Sequence, residues 1–147
     1  MKKIIIILSF VVVVLTAIAL IMINNDKKGF YSLKDDNITS IISVVGKRKL
    51  EKKTKSKNGD TIIKTYRYIN VDDPYTDLTR YINFLESKSN FIVTKSYNLN
   101  NKIGDLELSR YSTNKEYIVI INISYTRDSY TIKLTRGRGK INSLNNS

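Results

Sequence analysis

The 147-residue chain has no cysteine, no histidine, no tryptophan and one proline. Without histidine there is no Ser-His-Asp triad, no Cys-His pair and no imidazole metal site. Without cysteine there are no thiolate nucleophiles, thiolate metal centres, thiol-linked lipids or disulfides, so packing alone must hold the fold. The one proline, Pro74, follows Asp73, which excludes a Leu-Pro-x-Thr-Gly wall-sorting sequence. Gly137, Gly139 and Lys140 lack the Gly-x-x-x-x-Gly-Lys spacing of a phosphate loop. Asp72, Asp73 and Asp77 lack the loop pattern of a helix-loop-helix calcium site and read instead as helix-opening residues. A Ser-Lys dyad or a carboxylate pair would meet only in three dimensions, and no spacing favours one. The expectation is a non-catalytic chain with no cofactor and no metal.

What the chain does have is an unbroken apolar run from Ile4 to Ile23, with Lys2 and Lys3 before it and Asn24-Asn25-Asp26-Lys27-Lys28 after it. Twenty helical residues rise about 30 Å, the thickness of a bilayer's hydrocarbon core. The run reads as a signal-anchor that crosses the membrane once. The basic N-terminal flank keeps the N-terminus cytoplasmic and sends the rest of the chain outside. The alternative is a secretory signal cut near Ala19, at the small-residue site Ala17-Ile18-Ala19. Against cleavage, Leu20 to Ile23 continue the apolar stretch past that site.

The formal charge is +12, and removing Lys2 and Lys3 leaves +10 on residues 24–147. Such a field draws a domain to anionic partners: phospholipid headgroups, wall polymer or nucleic acid. The densest stretch supplies the candidate surface-binding residues Lys47, Arg48, Lys49, Lys52, Lys53, Lys55 and Lys57. Arg136, Arg138 and Lys140 are candidate tail contacts. The competing reading of the stretch is a solvated edge strand whose lysines block edge-to-edge aggregation. The Lys-, Ile- and Asn-rich composition is also what AT-rich codons produce, and in this respect alone the chain resembles small exported proteins of low-GC Gram-positive bacteria. Ten tyrosines are the other enrichment. Exposed, they would stack on sugars, bases or a protein; otherwise they fill half-buried strand positions.

The remaining residues are enough for one domain with one modest core. Residues 24–33 read as a polar spacer, 34–140 as a basic α+β extracytoplasmic domain, and 141–147 as a flexible tail. Ile38, Ile41, Ile42 and Val45 form a stripe that suits a short helix capped by Asp35, Asp36 or Asn37, although its β-branching leaves a strand open. A basic extended segment runs from Val44 to Lys53, then an Asn58-Gly59 type I′ turn and a return strand from Asp60 to Val71. Asp73-Pro74 opens a helix whose stripe is Tyr75, Leu78, Tyr81, Ile82 and Leu85, ending near Ser87; Asp77 lies off that stripe. Four strands come next: Phe91 to Tyr97, Asp105 to Tyr111, Tyr117 to Tyr125, and Tyr130 to Arg136. The third is apolar on both faces and is expected at the centre of the sheet.

The order β-β-α-β-β-β-β predicts one main helix packed on a mostly antiparallel sheet. It resembles cystatin-like and other helix-on-sheet folds, a likeness that implies no activity. The expected function is a membrane-anchored, non-catalytic module that binds a protein partner at the cell envelope. The alternative is an anionic-surface binder working through the basic hairpin.

Overall fold

Six extended segments build a six-stranded antiparallel sheet in the computed structural model, which describes residues 29–141. The expected membrane span lies outside the described residues, as does the tail beyond Ile141. Among the described residues no helix is long and apolar enough to cross a membrane.

The sheet strands are β3 (Lys49–Asn58), β4 (Thr61–Ile69), β5 (Ile92–Lys95), β6 (Gly104–Tyr111), β7 (Tyr117–Tyr125) and β8 (Ser129–Arg138), in the order β3-β4-β8-β7-β6-β5. Helix α2 (Pro74–Ser89) carries the chain from β4 to the far edge. The meander β5 to β8 then returns, and β8 closes onto β4 with Tyr130 opposite Tyr68. The doubly apolar strand β7 is central, as its composition predicts.

One face of the sheet is covered. Tyr66, Tyr68, Leu106, Leu108, Ile121, Ile123, Tyr130, Ile132 and Leu134 are all buried there with Leu78, Tyr81, Ile82 and Leu85 of α2. The opposite face carries Thr65, Arg67, Asn122, Ser124, Thr131 and Lys133 and is half-buried or open. The helix starts where the sequence predicts. Asp73 Oδ1 accepts the Thr76 N–H at 3.0 Å, and Asn90 ends the helix in the left-handed conformation at φ 56°. Two side chains exchange their expected roles. Tyr75 is 51 % exposed although it belongs to the apolar stripe, while Asp77, assigned to the polar side, is buried.

The N-terminal segment differs from expectation. Phe30 to Leu33, read as spacer, form strand β1 (Phe30–Leu33), paired with β2 (Asp36–Thr39) in a second small sheet. Tyr31, Leu33 and Ile38 are buried in the main core, so this hairpin is a lid over the sheet rather than a tether. Helix α1 (Ile41–Val45) is shorter than the predicted stripe because Ile38 is spent in β2. Ser40, rather than an aspartate or asparagine, holds its N-cap position, without a side-chain cap.

Asp36 accounts for the docking of that hairpin. It is fully buried, and so is Arg136 of β8 at 1 % exposure. Arg136 Nε donates to Asp36 Oδ2 at 3.2 Å, and Arg110 Nη2 of β6 donates to Oδ1 at 3.5 Å. The Thr113 N–H donates at 3.0 Å, and the Ser112 hydroxyl donates as well. Arg136 also lies over the Tyr117 ring, 3.9 Å from its centroid. The expected basic tail is therefore corrected: Arg136 to Arg138 continue β8, with Gly137 paired to Ile118, and Arg136 points into the protein.

Burial pushes the Asp36 carboxyl up. The bonds from Ser112 and Thr113 and the arginine charges outweigh it and leave the carboxyl below its ordinary value. Its contribution to stability is thus complete above the unfolded-chain value of 3.8 and is lost as pH falls through the lower native value. Asp36→Asn strands two arginines and is expected to cost about 3 kcal/mol at neutral pH. Urea unfolding of the two chains measures this, and the gap between them should narrow below pH 3.8, where Asp36 of the unfolded chain takes up its proton before the folded one does.

Candidate functional site

The basic stretch folds as β3, an edge strand exposed along its whole length. An edge strand has only one ladder to satisfy, and closely spaced lysines keep its free side from recruiting another chain. The register then distributes its charges. Only Gly59 of the turn has positive φ, at 55°, and Asn58 pairs with Thr61, so the central residues are Gly59 and Asp60 rather than Asn58 and Gly59. Asp60 is held there by the Tyr117 hydroxyl at 3.1 Å and by Arg138 at 3.4 Å.

In this register Lys53, Lys55 and Lys57 lie opposite Tyr66, Lys64 and Ile62, on the helix-bearing side of the sheet. Lys49 and Lys52 lie opposite Ile69 and Arg67, on the open side. The predicted basic finger is therefore divided between two faces. On the helix side, but past the reach of α2, the β1–β2 turn overhangs the β3–β4 hairpin. Between them lies a cleft of about 400 Å³ lined by Ser32, Lys34, Lys55, Lys57, Asp60, Ile62 and Lys64. Four ammonium groups face it against one carboxylate, and that carboxylate is already engaged by Tyr117 and Arg138. No ion pair involves Lys34, Lys55 or Lys57 among the described residues. Alternate residues on a strand stand about 7 Å apart, so Lys53, Lys55 and Lys57 form a ladder of charges of that pitch. Gathering like charges around a concavity focuses a positive field there, and a bound anion relieves the repulsion.

The other candidates fall outside the cleft. Lys53 lies over the Tyr66 ring at 5.6 Å. Lys47 is exposed just before β3, and Lys140 is exposed beyond β8. Arg138 is exposed but paired with Asp60. Arg48 is a structural residue: its guanidinium grips Asp77 through two bonds of 2.6 Å, and the Tyr130 hydroxyl donates to the same carboxylate at 3.1 Å. That clamp ties the start of β3 to α2, while the Asp73 carboxylate serves Thr76. Sequence reasoning missed Lys34 and Lys64. Lys34 stands alone, outside the charged stretch, in the turn of a hairpin that was not foreseen, and Lys64 joins Lys55 only once the turn register is known.

Most tyrosines are core. Tyr31, Tyr66, Tyr68, Tyr81, Tyr117, Tyr125 and Tyr130 are buried. The Tyr31 and Tyr68 hydroxyls bond each other at 2.9 Å, and Tyr81 donates to the Thr39 carbonyl at 2.9 Å. Burial pushes the Tyr31 and Tyr81 hydroxyls well up, so these groups stay neutral.

The fold and cleft define a small α+β domain with a concentrated cationic concavity. No known protein family, no curated protein and no solved structure matches the chain.

Arg48→Gln is expected to lower stability by about 2 kcal/mol, because a buried carboxylate loses a charged donor pair. Lys55→Gln and Lys57→Gln should each stay within about 0.5 kcal/mol of wild type. Chemical denaturation of the three variants distinguishes structural from free cations.

Proposed function

We propose that this chain is a membrane-anchored, non-catalytic extracytoplasmic domain that binds anionic polymers or headgroups through the cleft beside β3. The observation that carries the reading is the convergence of Lys34, Lys55, Lys57 and Lys64 on one concavity. Lysines spread for solubility alone would keep apart, whereas two separate hairpins here bring theirs together. The exposed edge extends the cleft along the strand, which suits a polymer with charges at regular intervals better than a single small anion.

A protein partner at the envelope is the second reading. It is favoured by exposed Phe30 and Leu50, which share a small depression with Ile42, Tyr66 and Tyr68 at the other end of β3. An acidic partner would use both features, its charge on the cleft and an apolar side chain on this depression.

The test uses the full chain in a neutral detergent with fluorescent polyphosphate as probe, across a salt series. Binding should fade with salt, and uncharged dextran should not bind. The combined variant Lys34→Gln, Lys55→Gln, Lys57→Gln should weaken binding at least tenfold and flatten the logarithmic salt slope by about 2, as expected for two or three lost phosphate contacts. Arg48 is left intact so that the fold is not disturbed. Undiminished binding by this variant would reject the cleft as the site.

A further inference from the structure

At the opposite end of the sheet from the β3–β4 turn, a second concavity has a different chemistry. A depression of about 490 Å³ runs between the start of α2, the β5–β6 loop and the β7–β8 turn. A neighbouring one of about 260 Å³ continues along α2. The two share Tyr75, Leu99 and Asn100 and so form one open groove. Its charges cancel: Asp72 and Asp73 stand against Lys102 and Arg127. Asp73 is further occupied by capping α2 through both oxygens.

Two exposed aromatic rings serve this groove. Tyr75 is 51 % exposed and Tyr97 is 37 % exposed, and both line the second depression. Around them stand the amides of Asn83, Asn98 and Asn100, with Asn101 in the first depression. Thr79 is also in the wall, and its Oγ1 is buried without a hydrogen-bond partner. The loop that carries the asparagines is built rather than loose. The Tyr125 hydroxyl donates to the Asn98 carbonyl at 2.9 Å, and Asn98 Oδ1 accepts the Asn100 N–H at 3.0 Å. Tyr125 reaches that carbonyl because residue 104 is glycine: a Cβ there would fall 2.5 Å from the Tyr125 hydroxyl oxygen.

We propose that this groove binds a neutral saccharide chain. A sugar ring offers an apolar face of C–H groups and a rim of hydroxyls. Exposed tyrosines match the first, and side-chain amides, which donate and accept at once, match the second. The absence of net charge argues against a phosphate-bearing strand, which would stack on the same rings but need cations beside them. An open groove of two compartments suits a run of several rings rather than one enclosed small molecule. This site is separate from the lysine cleft and would select by ring shape, where the cleft selects by charge.

The experiment is an NMR titration of the full chain, labelled on tyrosine, in a detergent without sugar headgroups. The probes are the hexamer of β-1,4-linked N-acetylglucosamine and maltohexaose, each to about 10 mM, a range that captures weak affinity. Tyr111 is 50 % exposed away from the groove and serves as the internal control. Saturable shifts at Tyr75 and Tyr97 but not at Tyr111, with either probe, are expected. Tyr75→Ala and Tyr97→Ala should each weaken binding about tenfold without changing the thermal midpoint, since both rings are exposed. No saturable shift with either saccharide, equal shifts at Tyr111, or affinity unchanged by both substitutions would overturn the proposal. Polyphosphate shifting Tyr75 and Tyr97 while the saccharides do not would also overturn it, in favour of an anionic ligand.

Discussion

A single buried carboxylate, Asp36, holds the N-terminal hairpin to the sheet. Arginines from β6 and β8 and the backbone of the β6–β7 link converge on it. A charge in such a place is tolerable only while every partner is present, because desolvation of each ion costs several kcal/mol and attraction repays it only in good geometry. The pair therefore specifies where β1 and β2 lie more than it adds to stability. Any other docking of the hairpin would bury Asp36 without arginines and Arg136 without a carboxylate. The lysine cleft depends on the same node, since Lys34 reaches the cleft only with the hairpin seated.

A second clamp acts at the other end of the first hairpin pair. Arg48 and Tyr130 share Asp77, joining the start of β3 and the strand β8 to α2. Between the two clamps the core is rich in tyrosine. Ring pairs such as Tyr31 against Tyr66, tilted with centroids 4.3 Å apart, supply apolar area, and each hydroxyl then needs a partner in the interior. Tyr31 meets that need by bonding Tyr68 and accepting the Ile41 N–H at 3.3 Å. A chain without cysteine thus uses a polar lattice inside its core to fix the relation between hairpin, helix and sheet.

The helix and the meander were legible in the sequence because their signals are local. Asp73-Pro74 marks a helix start, and Tyr117 to Tyr125 is apolar on both faces as a central strand must be. The β4–β8 closure was not legible, because it pairs strands separated by the whole helix and meander. The hairpin of β1 and β2 was hidden for another reason. Four-residue strands with two buried side chains each give no periodicity above noise, and Asp36 looks like a cap until Arg136 is known to lie over it. The charged stretch was legible as an edge strand, yet its division between two faces required the register set by Gly59 and Asp60. Half of the cleft's lysines were invisible as a site, Lys64 because of that register and Lys34 because the β1–β2 hairpin was hidden.

The two kinds of cation divide the work. Of seven arginines, Arg48, Arg67, Arg110, Arg136 and Arg138 pair with carboxylates, and Arg80 donates to the Val44 carbonyl at 3.2 Å. The planar guanidinium holds several oxygens in fixed geometry and tolerates partial burial, so arginine is the residue that can staple elements together. The compact, strongly hydrated ammonium of lysine resists burial and stays on the surface. The net charge of +12 is therefore not one undivided patch. Its arginine part is largely absorbed by the fold, and the field presented to solvent is a lysine field, densest where the two N-terminal hairpins meet. Lysine screens easily and binds phosphates without demanding one orientation. A cleft built of it favours exchange among many anionic groups over tight capture of one, and the proposed binding of a polymer or headgroup surface needs that behaviour, since such a ligand is held without being locked to a single point.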